Sequence, residues 1–161
     1  MNIIIRTIQP SDNAALAKII RTSLEEFGAN KPGTVYFDDA TDHLYETFIT
    51  TPNSIYFVAE QDGKILGGGG VFPTEGLPEK TCELVKMYLT KSARGLGLGK
   101  MLIERCMNAA QQLGYEKMYL ETMPELINAV KLYQLYGFQN LTHSLGNSGH
   151  CGCGIWMLKK L

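Results

Sequence analysis

Residues 82–100 read Cys82-Glu83-Leu84-Val85-Lys86-Met87-Tyr88-Leu89-Thr90-Lys91-Ser92-Ala93-Arg94-Gly95-Leu96-Gly97-Leu98-Gly99-Lys100. The first half, to Leu89, is made of residues that suit a pleated, half-buried surface and predicts a strand. The second half ends in three alternating glycines and runs into Leu102, Ile103, Cys106, Ala109, Ala110 and Leu113. That spacing predicts one buried face of a helix from about Gly99 to Leu113, stopped by Gly114. A strand, a glycine turn and a helix in this order gather successive backbone N–H groups into one concavity. The helix adds its own unpaired N–H groups and the positive end of its dipole. Such a site suits a phosphate or pyrophosphate, with Arg94 and Lys100 as further positive charge.

Two familiar phosphate loops do not fit. A P-loop needs glycine six residues before its lysine and Ser or Thr after it, but positions 94 and 101 are Arg and Met. A dinucleotide loop needs G-x-G-x-x-G. Gly95, Gly97 and Gly99 give G-x-G-x-G, with Lys100 where the third glycine belongs. Glu121, near the end of the next strand, stands where a ribose-binding acid would, so a dinucleotide-binding oxidoreductase is one alternative. Against it, the strand before the loop carries Glu83 and Lys86, unlike a parallel strand buried on both faces.

Upstream, residues 3–8 predict a strand, and Ser11 or Asp12 can cap a helix that buries Leu16, Ile19, Ile20, Leu24 and Phe27. After a loop over residues 29–37, Asp38 is expected to cap a shorter helix with Leu44, Tyr45 and Phe48 inward. Residues 54–60 and 65–72 predict a hairpin about Gln61-Asp62-Gly63-Lys64. The run Gly67 to Gly70 reads as bulged or closely packed backbone, or as a place where a ligand nears the chain. Downstream, residues 117–122 predict a strand ended by Pro124. Residues 126–136 predict a helix closed by Gly137, and two short strands follow near 138–142 and 155–160. No repeat or linker divides the 161 residues, so one α+β domain over residues 1–161 is expected.

Composition narrows the function classes. Lys plus Arg total 15 and Asp plus Glu total 16, for a net charge of -1. This leaves no overall electrostatic footprint for nucleic acid or an anionic membrane. No apolar run approaches the ~18 residues of a spanning helix, and Met1 to Arg6 does not read as a signal peptide. A cytoplasmic protein with no nucleic-acid and no membrane partner is expected. Cys82, Cys106, Cys151 and Cys153 then read as thiols rather than a disulfide framework. His150-Cys151-Gly152-Cys153, with His143 nearby, lacks metal-site spacing, so no metal is expected.

Arg94-x-x-Gly97-x-Gly99 matches the Q/R-x-x-G-x-G/A signature of the GNAT superfamily, the acyl-CoA-dependent N-acyltransferases. Glu83 to Leu89 resembles that family's fourth strand. Asn128-Ala129-Val130-Lys131-Leu132-Tyr133-Gln134-Leu135-Tyr136-Gly137-Phe138 resembles its N-A-x-x-L-Y-x-x-x-G-F segment. The resemblance covers residues 82–138; residues 1–80 and the tail from Leu141 share only the layout. It implies a mixed α/β, GNAT-like fold: a twisted, mostly antiparallel sheet of six or seven strands and about four helices. Between the fourth and fifth strands it implies a V-shaped cleft that binds acetyl-CoA as cosubstrate. Carried over by position, backbone N–H groups of Arg94, Gly95, Leu96, Gly97, Leu98, Gly99 and Lys100 hold the pyrophosphate. Met87, Tyr88 and Leu89 pair with the pantetheine arm as an added strand would, and Asn128 bonds the pantetheine or phosphate end.

N-acetylation needs a neutral amine, a stabilised thioester oxyanion and a proton for the departing thiolate. Tyr133 matches the family's general acid, the alternative being a helix aromatic in the core; Tyr136 is read as packing. Glu83 is the leading general base, the alternative being an exposed strand carboxylate. The N–H of Tyr88 or Leu89 is the candidate oxyanion donor. Glu121 is a second carboxylate that could orient the amine. His150 could contact substrate or act as base, or be a surface-loop histidine. Phe27, with Tyr36 and Phe37, is a candidate wall of the acceptor pocket. The base stays open among Glu83, Glu121, His150 and water. The expected activity is direct acetyl transfer, in a ternary complex, from acetyl-CoA to a primary amine of a small molecule, the alternative acceptor being a protein amine. A non-catalytic acyl-CoA sensor of the same fold is the second alternative. A homodimer is the assembly considered.

Overall fold

The β-forming segments join into one seven-stranded sheet. The strands are β1 (Ile3–Thr7), β2 (Ile55–Gln61), β3 (Lys64–Phe72), β4 (Thr81–Leu89), β5 (Lys117–Thr122), β6 (Gln139–Asn140) and β7 (Ile155–Lys160), in spatial order β1-β2-β3-β4-β5-β7-β6. The computed structural model describes residues 2–150 and 152–161. Met1 and Cys151 lie outside the described residues, and with them the start of the signal-peptide reading and one of the four expected thiols. Among the described residues four α-helices flank the sheet: α1 (Asn13–Glu26), α2 (Leu44–Thr50), α3 (Leu98–Gln112) and α4 (Ile127–Leu135). The architecture is thus the mixed, mostly antiparallel one expected. Every pairing is antiparallel except β4 with β5. A sheet with a single parallel pair is not doubly wound, so the dinucleotide-oxidoreductase alternative falls. Among the described residues no helix is long and apolar enough to cross a membrane.

Strand register sorts side chains by face, because successive residues alternate. Tyr56 pairs with Gly70, Phe72 with Glu83, and Glu83 with Tyr119, which puts Tyr56, Phe72, Glu83 and Tyr119 on one face. There Leu16, Ile20 and Leu24 of α1 and Leu44 and Phe48 of α2 close over Tyr56 and Val58. On the opposite face Leu102, Ile103, Cys106, Ala109 and Ala110 of α3 meet Phe57, Val71, Leu84, Met118, Leu120 and Met157.

Several local expectations need correction. Asp12 does not cap α1 with its side chain. Its carboxylate accepts the Arg6 guanidinium at 2.8 Å and 3.0 Å and the Gln9 N–H at 2.8 Å. Asp38 caps a short 3-10 turn (Asp39–Asp42) through the Ala40 N–H, not α2. The start of α2 is served from a distance, with the Tyr45 N–H donating to Asn13 Oδ1 at 2.9 Å. Tyr45 is only half-buried. Leu113 follows the last residue of α3 and is exposed rather than part of its buried face.

Candidate active site

β4 and β5 pair only over Thr81–Glu83 with Lys117–Tyr119. Beyond that point they part, and a cavity of about 490 Å³ opens between Leu84 to Leu89 on one lip and Leu120 to Met123 on the other. A bulge helps to set the lip. Gly70 pairs with Val85 and Gly68 with Tyr88, so Lys86 and Met87 together oppose Gly69. Lys86 adopts φ 50, a left-handed conformation uncommon outside glycine.

At one end of the cavity lies the glycine turn. Gly95 and Gly97 take φ 79 and φ 80, which L side chains adopt only at a cost. Gly99 has a different reason: a Cβ there would stand 3.2 Å from Leu132 Cδ2 on α4. The first bond into α3 runs from the Met101 N–H to the Gly97 carbonyl, so the N–H groups of Leu98, Gly99 and Lys100 precede the helical ladder. Gly95, Gly97, Leu98, Gly99, Lys100 and, across the cleft, Asn128 line the cavity. Leu96 does not, its side chain being 58% exposed.

The Arg94 side chain is not a spare charge for a ligand. Its guanidinium binds the Glu26 carboxylate, the Leu89 carbonyl at 3.1 Å and Ser23 Oγ at 3.3 Å, and lies over the Phe27 ring at 4.9 Å. It pins the turn to α1 and to the end of β4. Phe27 therefore belongs beside the glycine turn, although it lines the same cavity. Tyr36 and Phe37 are not among the lining residues. Phe37 is 59% exposed, and the Tyr36 hydroxyl donates to Glu25 at 2.9 Å.

At the other end stand the titratable groups. Glu83 is 4% exposed, so it is no surface carboxylate. Thr74 Oγ1 donates to its Oε1 at 2.6 Å. Burial pushes its carboxyl up to about 7, helped by the charge of Glu121 and opposed by the Thr74 hydrogen bond and by His150 and Lys86. Glu121 accepts the Tyr119 hydroxyl at 2.7 Å and the Ser148 hydroxyl at 2.5 Å, so both its oxygens are engaged. His150 is held rather than loose, with its Nε2 3.1 Å from Asp38 Oδ2 and its N–H donating to Ser148 Oγ. Lys86 Nζ reaches the same Asp38 oxygen at 3.3 Å. The His150 hydrogen bond and then the Lys86 charge hold the Asp38 carboxyl far below the usual range, against its burial. Glu83, Glu121 and His150 thus all line the same cavity. Asp38, Thr74 and Ser148, which hold them, were not read as site residues. Asp38 meets Lys86 and His150 from 48 and 112 residues away and Ser148 meets Glu121 from 27, while Thr74, nine residues before Glu83, sits in a loop that no local pattern marks.

Tyr133 is buried on α4, lines the cavity, and meets Phe138 edge to face with ring centroids 5.9 Å apart. Burial pushes its phenol up, so it stays protonated at neutral pH. Tyr136, one turn on, is half-buried and donates to Glu104 at 2.5 Å. Cys82 and Cys106 are buried thiols. Among the described residues no cluster of three or more His, Cys, Asp or Glu side chains is arranged to hold a metal.

Comparison with known proteins agrees with this geometry. Residues 17–138 match the family model described as "Acetyltransferase (GNAT) family". The chain is 38% identical over 160 residues to the uncharacterized N-acetyltransferase YjgM of Escherichia coli K12, covering 98% of this chain and 95% of that one. The fold superposes on an acetyltransferase of the GNAT family from Staphylococcus aureus Mu50 with a TM-score of 0.83, at 18% identity and 99% coverage of both chains. It also superposes on yncA of Salmonella typhimurium, solved with its cofactor acetyl-CoA, with a TM-score of 0.76 at 18% identity, covering 99% of this chain and 94% of that one.

Proposed function

Because the chain belongs to the GNAT family of acetyltransferases, we propose that this N-acetyltransferase acts on a primary amine of a small molecule, which attacks the thioester carbonyl of acetyl-CoA directly within a ternary complex and expels the CoA thiolate. The observation that carries this reading is the cavity where β4 leaves β5. It joins a glycine-turn cradle to a buried carboxyl poised near neutrality and a buried, protonated tyrosine. Residues 1–161 act as one catalytic domain in this reading.

The cradle fits a pyrophosphate. At Gly95 and Gly97 nothing stands within 4 Å of where a side chain would project, and the N–H groups opening α3 have no helical acceptor. The Arg94 N–H, expected from the sequence to face the phosphates, instead donates to the Lys91 carbonyl at 3.3 Å, so Arg94 shapes the turn without offering a donor, while Lys100 adds charge. The unpaired edge of β4 at Met87, Tyr88 and Leu89 fits the amide-bearing pantetheine arm, and Asn128 offers its side-chain amide from α4. Bound there, acetyl-CoA supplies an acetyl thioester.

Glu83 takes the amine proton. Its Oε1 already accepts from Thr74, which directs Oε2 to the proton, and a base near neutrality is the most effective one at neutral pH. The N–H of Tyr88 or Leu89 stabilises charge on the carbonyl oxygen. Tyr133 gives its phenolic proton to the departing sulfur. His150 and Glu121 border the amine, and Phe27 closes the far side of the turn. The tail walls the acceptor end through Ser148 to Glu121, His150 to Asp38 and the Gly152 N–H to the Gly33 carbonyl. Such a wall admits a small amine more readily than a protein surface.

The test is thermal unfolding with acetyl-CoA or NAD, followed by thiol release across an amine panel. At a hundredfold excess over Kd a ligand adds about 2.7 kcal/mol, or roughly 5–11 °C for a chain of this length. A shift with acetyl-CoA and amine-dependent thiol release are expected. A shift with NAD alone, or no thiol release from any amine, overturns the reading.

A further inference from the structure

The run Gly67 to Gly70 and the fully buried Tyr56 have no part in the chemistry above. Tyr56 stands on β2, and its ring crosses β3 to reach β4. A Cβ at Gly68 would lie 2.6 Å from Tyr56 Cε1, and one at Gly70 would lie 2.6 Å from Tyr56 Cδ2. Both are far inside contact distance, so the glycines leave the strip of β3 that the ring occupies. Beyond that strip the Tyr56 hydroxyl donates to the Lys86 carbonyl at 2.7 Å. This is the bulge residue, held at φ 50.

The bulge has a directional consequence. In a strand the side-chain face and the direction of the N–H alternate together, so one extra residue reverses both for everything after it. Leu84 packs on the α3 side and Val85 on the α1 side. After the extra residue, Met87 and Leu89 pack on the α3 side and Tyr88 on the α1 side. Without the bulge all three would exchange faces, and the N–H groups along the cleft would belong to different residues. Lysine does not favour a left-handed backbone, so the bulge needs an outside hold. The Lys86 side chain reaches Asp38 at 3.3 Å, but that contact leaves the carbonyl direction unfixed.

We propose that Tyr56 is a positioning residue for the acetyl-CoA arm: its hydroxyl pins the Lys86 bulge and so decides which N–H groups of Met87, Tyr88 and Leu89 face the cleft. This rests on the acetyl-CoA reading given above. The Gly68 and Gly70 positions serve the same device by leaving room for the ring.

The experiment uses Tyr56→Phe in the full chain, with titration calorimetry of acetyl-CoA and amide hydrogen exchange without ligand. The variant keeps the ring and loses only the hydroxyl. Acetyl-CoA affinity is expected to fall about tenfold, the scale of one lost buried hydrogen bond. Exchange is expected to quicken at Lys86 to Leu89 while β2 and β5 keep their protection. Lys86→Gly in the Tyr56→Phe background is expected to recover most of the affinity, because glycine holds a positive φ without help. Unchanged affinity, protection lost evenly over the sheet, or no recovery with Lys86→Gly would make Tyr56 a core residue and overturn the proposal. If the wild type binds no acetyl-CoA while exchange still quickens only at Lys86 to Leu89, the cofactor reading fails and the pin on the bulge stands.

Discussion

Glu83→Gln is expected to make the protein both less active and more stable, and the stability gain is expected to depend on pH. The Glu83 carboxyl rises from 4.5 to about 7 on folding. Each pH unit of displacement is worth 1.36 kcal/mol, so ionising this buried group in the folded state costs roughly 3 kcal/mol. The sign follows from proton uptake. Below pH 4.5 the group is neutral in both folded and unfolded chains and costs nothing. Between pH 4.5 and about 7 the unfolded chain loses the proton while the folded chain keeps it, so stability falls as pH rises. Above about 7 the full cost is present. Glutamine carries no such charge and still offers an oxygen to the Thr74 hydroxyl. The assay is thermal unfolding of both proteins from pH 5 to 8.5. Near pH 5 the variant should melt only about 2–3 °C higher, because the unfolded carboxyl has just begun to ionise; by pH 8 it should melt about 6–12 °C higher, at 2–4 °C per kcal/mol for this chain length. A melting difference that does not change with pH would refute the argument that Glu83 is a buried, displaced acid. Activity supplies an independent check: the wild-type rise in kcat/KM through about pH 7 should vanish in the variant.

Tyr133→Phe should keep acetyl-CoA affinity in calorimetry while turnover falls by about 10²–10⁴-fold, the usual worth of a positioned acid; Tyr136→Phe should change turnover little, since its hydroxyl is engaged by Glu104. Gly97→Ala should weaken acetyl-CoA binding and lower stability by about 1–2 kcal/mol in a denaturant titration, because alanine must hold φ 80 there.

The segment from β4 through α3 was legible because its signals are local. A β-forming run, alternating glycines and a 3.6-residue apolar period each act within a few residues, and the helix ends only one residue before the expected Leu113. The glycine run was legible in kind, as close packing, but its reason was not. Tyr56 becomes its occupant only after β2 folds onto β3. The chemistry of Glu83 was half legible. Its place at the start of the cleft strand follows from sequence, whereas its burial depends on Thr74 and on a register with Phe72 and Tyr119. Asp38 looked like a helix cap because capping is a local role. Its partners stand 48 and 112 residues away, beyond the reach of any local pattern. Arg94 shows the same limit. A basic residue beside a phosphate turn invites a contact with the ligand, yet Glu26, Ser23, Leu89 and Phe27 claim its guanidinium.

The brief pairing of β4 with β5 is a fault line. On one side β1 to β4 form a stitched plate, on the other β5 to β7 form a second, and the weld between them runs only from Thr81 to Glu83. Beyond the weld, β4 from Leu84 to Leu89 is stitched to β3 on one side only, so the two plates can hinge about Thr81 to Glu83, and under the proposed function an arm laid along β4 would brace the open lip of the first plate.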